Sequence, residues 1–144
     1  MAPNRSPNRT NDKTALIVHP DMTVMSSLQS AFVKNEITAI VARDLPTALL
    51  AITQHFFDVV VVSSRISEEG DGWTLGGVLR LVFPKAFVMM IAPGTDLMSL
   101  KNAINHGVDE VLEGTASPEQ IVSTALRSAS VAGKSPTTPK ERIQ

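Results

Sequence analysis

Five short apolar runs alternate along the chain with longer segments whose apolar residues recur at helical spacing. The strongest run, at 59–62, is four consecutive valines bounded by polar residues. β-Branched side chains favour strands, and a continuous apolar run predicts a strand buried on both faces. Such a strand lies in the middle of a parallel sheet, so its carboxyl end, at Ser63 and Ser64, should face the functional edge.

The other elements follow the same alternation. Four further apolar runs predict strands at 14–18, 37–41, 86–92 and 108–112. A third helix is predicted over 73–83, ahead of Pro84. The residues at expected N-cap positions of the other helices are Asp21, Asp44, Thr95 and Ser117. Helical spacing predicts these buried helix residues: Val24, Met25, Leu28, Phe32, Val33, Ala48, Leu49, Ile52, Phe56, Leu75, Val78, Leu79, Val82, Ile121, Val122, Ala125, Leu126 and Ala129.

Alternation of five strands with five helices predicts the topology. Right-handed crossovers then require a parallel sheet with helices on both faces. The sequence therefore predicts an α/β fold, a flavodoxin-like (βα)5 three-layer sandwich with strand order 2-1-3-4-5. The segments expected at its functional edge are 19–21, 63–64, 91–92 and 113–114.

Composition limits the kind of protein. With 144 residues, 43% of them hydrophobic, the chain suffices for one domain, predicted at 14–131. Residues 1–13 are predicted to be a disordered tail, and 132–144 a disordered tail or linker. No apolar run approaches the roughly 20 residues of a membrane-spanning helix, and the absence of cysteine fits a cytoplasmic protein. Each tail carries +2, which leaves −5 for the body and argues against direct nucleic-acid binding.

The predicted domain resembles a receiver domain of bacterial two-component response regulators. The resemblance combines the full alternation with short phrases at 16–18, 57–62 and 71–73. A further phrase, at 103–112, is similar to the family's Ala-x-x-x-Gly-Ala-x-x-Tyr-Leu stretch. The resemblance implies phosphorylation of an aspartate at the end of strand three, supported by an acidic pair that holds Mg²⁺, a Thr or Ser, and a Lys-Pro pair.

Position by position, this chain departs from that chemistry. The acidic pair falls on His19 and Pro20, the Thr or Ser on Ile91, and the lysine on Gly114. Val111 stands at the family's switching-aromatic position. Proline offers no side-chain ligand to Mg²⁺, and without lysine or metal nothing neutralises the charge on a transferring phosphoryl group.

The phosphoacceptor position itself falls on a serine. It is Ser63 when counted along the strand and Ser64 when counted back from Asp71, and both alternatives stay open. A serine hydroxyl cannot form the acyl phosphate that a carboxylate forms. Phosphoaspartyl signalling is therefore expected to be absent, with no cofactor and no metal.

The resemblance then implies an atypical receiver that acts as a phosphorylation-independent protein–protein interaction module and not as an enzyme. In the family, the surface of helix four, strand five and helix five binds a protein partner or a second copy. The corresponding residues here are Leu97, Met98, Lys101, Asn105, Glu110, Val111, Glu113, Gln120, Thr124 and Arg127.

Two other functions have some support in the sequence. Replacing the acidic residues leaves a less negative cleft, which could hold an anion or a small metabolite. Its predicted rim consists of His19, Ser63, Ser64, Ile91 and Thr115. A Ser-His-Asp triad built from His19, Asp21 and Ser63 is disfavoured, because the chain has no Gly-x-Ser-x-Gly elbow and Asp21 suits a helix cap.

Overall fold

The computed structural model describes residues 13–134 as one alternating series of strands and helices. The strands are β1 (Lys13–Val18), β2 (Ile37–Ala42), β3 (Val59–Ser63), β4 (Phe87–Ala92) and β5 (Glu110–Glu113). The helices are α1 (Met22–Lys34), α2 (Leu45–Gln54), α3 (Asp71–Val82), α4 (Leu97–His106) and α5 (Pro118–Lys134). Lys13, assigned above to the tail, begins β1, and α5 extends past 131. The rest of both tail predictions lies outside the described residues.

The five strands form one parallel sheet in the order β2-β1-β3-β4-β5, which confirms the predicted flavodoxin-like arrangement. β3 lies at its centre and all five of its residues are buried, as the valine run predicted. Since every strand is parallel, all five carboxyl ends lie at one edge of the sheet.

Two apolar clusters, one on each face of the sheet, form the core. Val60 and Val62 of β3 belong to the cluster covered by α2, α3 and α4. Val59 and Val61 point the other way, into the cluster covered by α1 and α5. Successive strand residues alternate between faces, and burying each valine contributes about 1.5–3 kcal/mol. The valine run of β3 therefore contributes side chains to both apolar clusters.

The helix starts confirm most of the expected caps. The Asp21 carboxylate accepts the Thr23 N–H at 2.9 Å, and the Asp44 carboxylate accepts the Thr47 N–H at 2.9 Å. The predicted cap at Thr95 is wrong, because α4 begins at Leu97 and its N-cap is the following residue, Asp96. Both residue types cap helices well, so the turn before α4 decides which of them lies at the boundary.

Several residues predicted to be buried are exposed. They are Val33, Leu49, Phe56, Val78, Val82 and Leu126. On α2 the buried positions are the small residues Ala48 and Ala51, so that the helix lies close to the sheet and the larger side chains remain at its sides. None of the helices within residues 13–134 is long and apolar enough to cross a membrane.

Candidate functional site

The carboxyl edge of the sheet brings the predicted site residues together. Ser63, the last residue of β3, pairs with Ile91 of β4. His19 and Pro20 directly follow β1, and Gly114 directly follows β5. The sheet order places β1 and β4 on either side of β3, so the predicted positions meet at one place in the fold.

The two serines of this edge are buried and bonded within the protein. The Ser63 hydroxyl donates to the Arg65 carbonyl at 2.8 Å and accepts the Arg65 N–H at 3.4 Å. Ser64 lies beyond the strand, and its N–H donates to the Ile91 carbonyl at 2.9 Å. The Ser63 hydroxyl is therefore engaged by its own loop.

An aspartate organises the loop between β3 and α3. The Asp71 carboxylate accepts the N–H groups of Ile66 at 2.7 Å, Ser67 at 2.9 Å and Glu68 at 2.9 Å. Desolvation by burial raises the pKa of Asp71, but these hydrogen bonds outweigh it and lower the pKa to about 2. The carboxylate is thus ionised at neutral pH and fixed on backbone donors.

Gly72, the residue after Asp71, allows this loop to contact the end of β3. The Gly72 N–H donates to the Ser64 carbonyl at 3.0 Å. A Cβ placed on Gly72 would lie 1.8 Å from the Ser63 carbonyl oxygen, so only glycine fits this approach. The end of β3 is consequently covered by the first turn of α3.

His19 is half-buried and interacts with the start of α1. Its Nδ1 accepts the Asp21 N–H at 3.1 Å. Desolvation lowers the pKa of His19, while the nearby Asp21 carboxylate partly opposes that shift. Because burial disfavours the charged ring, His19 is neutral at neutral pH.

These residues do not fit the Mg²⁺ site that the resemblance implies. The aspartates that follow the strands at this edge, Asp21, Asp44, Asp71 and Asp96, direct their carboxylates at backbone N–H groups. Within residues 13–134, no group of three His, Cys, Asp or Glu side chains is placed to hold a metal ion. Mg²⁺ needs a near-octahedral set of oxygen ligands, which this edge does not present.

The predicted interaction surface is exposed with two exceptions. Val111 is half-buried in β5. Thr124 is buried, and its hydroxyl donates to the Gln120 carbonyl at 2.9 Å, so it does not belong to the exposed surface. The exposed members are Leu97, Met98, Lys101, Asn105, Glu110, Glu113, Gln120 and Arg127.

The same surface contains a groove of about 610 Å³ between α4 and β5. Its apolar lining consists of Leu97, Leu100, Ala103, Ile104, Val108 and Val111. Among the described residues that line it, three are acidic (Asp96, Asp109 and Glu110) and none is a lysine or arginine. Arg80 binds the Asp109 carboxylate, and the Asp96 carboxylate accepts the Ser99 N–H, which leaves Glu110 as an exposed acid at the rim. We name this feature the α4–β5 groove.

Sequence reasoning found Leu97 but missed Leu100 and Ile104. The signal was present, since residues three and seven positions apart share a helix face. An apolar row with that spacing usually predicts a buried face, and here β5 is a sheet edge that leaves the row uncovered.

No protein-family model matches the chain, and no curated protein matches it in sequence. Solved structures match it in fold. A response regulator receiver domain protein (CheY-like) from Methanospirillum hungatei JF-1 has 17% identity and a TM-score of 0.78, over 85% of this chain and 98% of that chain. A two-component response regulator from Clostridium difficile has 21% identity and a TM-score of 0.76, over 86% of this chain and 100% of that chain.

A response regulator from Burkholderia pseudomallei, solved with a phosphorylated aspartic acid, a calcium ion and citrate, is also similar. It has 19% identity and a TM-score of 0.73, over 85% of this chain and 71% of that chain. At these identities the likeness is one of fold. The chain has the fold of response-regulator receiver domains.

Proposed function

We propose that this chain is an atypical receiver domain of two-component (phosphorelay) signalling, which acts by binding another protein and accepts no phosphoryl group. In this proposal it is a cytoplasmic interaction module of the bacterial type. It binds no cofactor and is not an enzyme.

The observation that carries the proposal is the chemistry at the end of β3. An acyl phosphate forms on a carboxylate, and Ser63 presents a hydroxyl that is already bonded to Arg65. By the resemblance, His19 and Pro20 correspond to the Mg²⁺ ligands of the family, and Gly114 corresponds to its lysine. Phosphoryl transfer depends on such charges for positioning and for stabilisation of the transition state.

We assign the acceptor position to Ser63 and not to Ser64. In the family, according to the resemblance, the acceptor ends strand three and the Thr or Ser ends strand four. The pairing of Ser63 with Ile91 supports that correspondence, whereas Ser64 lies beyond the strand.

Loss of the acceptor also removes the usual reason for a conformational change. Ile91 has no hydroxyl to follow a phosphate, and Val111 has no ring to rotate. A ligand shifts a conformational equilibrium only by its differential affinity for the two states. In this proposal a partner binds the surface formed by α4, β5 and α5 without a phosphorylation-driven change, or the partner or a ligand biases its conformation.

The α4–β5 groove indicates what kind of protein binds there. Its uncovered Leu97, Leu100 and Ile104 suit the apolar stripe of an amphipathic helix. Its carboxylates favour a partner that carries lysine or arginine beside that stripe. Two copies meeting at this groove would bring their acidic residues together, so a different, basic partner suits it better.

The test is incubation with Mg²⁺ and acetyl phosphate, followed by intact mass measurement. We expect no phosphoryl adduct on the wild-type chain. A Ser63→Asp variant is the matched comparison, and it should also stay unmodified, because the Mg²⁺ ligands and the lysine are still missing. An authentic receiver in the same reaction shows that the donor is active.

An adduct on the wild-type chain would overturn the proposal, and its stability would identify the acceptor. An alkali-labile adduct would indicate a carboxylate such as Asp21, Asp58 or Asp71. An acid-stable adduct would indicate a serine.

A further inference from the structure

A second apolar surface lies on the other side of α3, far from β5. Its residues are Leu49, Leu50, Phe56, Val78, Leu81 and Val82, all of them exposed. We name it the α2–α3 face. Groups of exposed apolar side chains on a folded domain can mark sites of association, and none of these residues lines the α4–β5 groove.

The contacts of α3 show which way its side chains point. Arg80 donates to the Gly107 carbonyl at 2.9 Å, so this flank of α3 faces the end of α4. At about 100° per residue, Val82 lies about 200° around the helix from Arg80. Val78, one turn before Val82, shares its direction. Both valines therefore face α2, the neighbouring helix on this side of the sheet.

On α2, the partly buried residues Leu45 and Ile52 fix the orientation of the helix. Leu45 and Ile52 pack against the same core cluster as Leu75 and Leu79 of α3. Leu49 lies between Leu45 and Ile52 on one flank of the helix, so it continues that row outward to the surface. Leu49 is therefore one of the α2 residues of this face.

Phe56 follows the end of α2 and lies beside Phe83 at the end of α3. Its side chain is 87% exposed, yet its ring meets Phe83 edge-to-face at 6.2 Å between centroids. Phe83 in turn meets the buried Phe57 at 5.5 Å. An exposed aromatic ring with one edge against the protein is the type of side chain that anchors an interface.

The α2–α3 face is also uncharged. α2 has no charged residue over its whole length. α3 has only Asp71, which binds the loop before it, and Arg80, which binds Gly107 and Asp109 on the far flank. In a two-fold interface each patch meets its own copy, so two patches that carry charges of one sign only repel each other. The uncharged α2–α3 face avoids this repulsion, whereas the acidic lining of the α4–β5 groove does not.

The segments outside the described residues do not suit the face. Residues 1–12 join β1 beside Phe57, since the Thr14 N–H binds the Asp58 carboxylate at 2.9 Å. That segment is rich in Asn, Arg, Pro and Ser and has one large apolar residue, Met1. Residues 135–144 follow α5, whose buried residues lie on the opposite side of the sheet.

We propose that the α2–α3 face is the self-association surface of this protein, on which two copies pair about a two-fold axis. Phe56 of each copy packs against the exposed apolar residues of the α2–α3 face of the other. The pairing leaves the α4–β5 groove of both copies free, so a dimer would present two docking sites to the partner proposed above.

The experiment is sedimentation velocity of the full chain from micromolar to near-millimolar concentration. We expect a monomer–dimer equilibrium. Phe56→Lys should weaken it about tenfold or more, as expected for an anchor residue at the centre of an interface. Leu49→Lys is the second variant, and it should act in the same direction.

Leu97→Lys is the matched control, because Leu97 is also highly exposed, at 80%, but lies in the α4–β5 groove. It should leave self-association unchanged. Far-UV circular dichroism and urea midpoints check that each variant is folded. A wild-type chain that stays monomeric overturns the proposal, and so does dissociation by Leu97→Lys that equals or exceeds the effect of Phe56→Lys. Neither result bears on phosphoryl transfer, so the proposed function is tested separately.

Discussion

At the scale of single residues, Asp71 and Gly72 fix the loop that covers the end of β3. One uses its carboxylate to bind three consecutive backbone N–H groups, and the other lacks the Cβ that would prevent contact with the strand. The resemblance to receivers rests partly on this pair. Their contacts here are structural, because neither directs a group toward Ser63 that could act on a phosphate.

Gly72→Ala should be severely destabilising. The new Cβ would overlap the Ser63 carbonyl at 1.8 Å and the Ser64 backbone at 2.7 Å, and backbone atoms of a central strand cannot move aside. We expect a loss of about 4 kcal/mol or more in the free energy of unfolding, measured by urea denaturation. Gly94→Ala is the control, since a Cβ there meets nothing within 4 Å. Comparable stability of the two variants would contradict the contact.

Asp71→Asn should lower stability and change its dependence on pH. Losing a charged acceptor of several hydrogen bonds costs about 1–3 kcal/mol at neutral pH. Because the folded pKa of Asp71 is lowered, its contribution is fully present above the unfolded pKa of 3.8 and is lost as pH falls through about 2. The variant should therefore lose less stability than the wild type across that range.

Urea midpoints measured between neutral pH and about pH 2 test this expectation. Glu69→Gln is the control, because Glu69 is an exposed carboxylate of the same loop. Parallel pH profiles for Asp71→Asn and the wild type would show that the carboxylate does not carry the effect.

At the scale of elements, α4 carries much of the proposed docking surface, and its start determines how that surface is presented. The Asp96 carboxylate accepts the Ser99 N–H at 2.9 Å. Its pKa is lowered, chiefly by this backbone hydrogen bond. At the other end, Gly107 adopts a left-handed conformation, with φ of 70°, and stops the helix. The Leu97–Leu100–Ile104 row is thus held between two defined ends.

Asp96→Ala should destabilise the protein by about 1 kcal/mol, the usual effect of removing an N-cap. Thr95→Ala changes the neighbouring residue, which the sequence alone would have chosen as the cap, and should stay within about 0.5 kcal/mol of the wild type. Thermal or urea unfolding of the two variants shows whether Asp96 or Thr95 caps α4. A larger effect at Thr95 would place the helix start one residue earlier.

At the scale of the whole molecule, the helical layer formed by α2, α3 and α4 has an apolar surface at each side. The two surfaces differ in charge, since one is uncharged and the other is lined by carboxylates. Charge complementarity governs partner choice more than it governs affinity. This difference in charge is the reason for proposing a different partner for each surface.

A designed amphipathic helical peptide tests the acidic side. A peptide with a leucine stripe flanked by lysines should bind about tenfold more tightly than the same peptide flanked by glutamates, a difference of about 1.4 kcal/mol. Fluorescence anisotropy measures both, and added salt should narrow the difference.

Variants locate that binding. Ile104→Lys should abolish it by placing a charge in the groove, and Glu110→Gln should reduce the preference for lysine without abolishing binding. Equal affinity for the two peptides, or a preference for the acidic one, would contradict the charge assignment.

Much of this architecture could be predicted from the sequence, because local patterns encode it. The valine run predicted the central strand, Asp21 and Asp44 predicted two helix starts, and the alternation predicted the strand order. The positions of the site residues followed, since parallel strands bring their ends to one edge. The hydrogen-bonded state of Ser63 did not follow, because it depends on the path of a loop.

The sequence by itself determined the layers, the order of the strands and the residue types at the functional edge. Periodicity and backbone hydrogen bonding act locally, and the handedness of crossovers then leaves few topologies. Only the tertiary structure decided which apolar side chains of the helices are exposed to solvent. Leu49, Val78 and Val82 have the spacing of core residues, but small residues on α2 and the contacts of α3 with α4 set the rotation of each helix. Exposure depends on how helices lie against their neighbours, and helical periodicity carries no information about that.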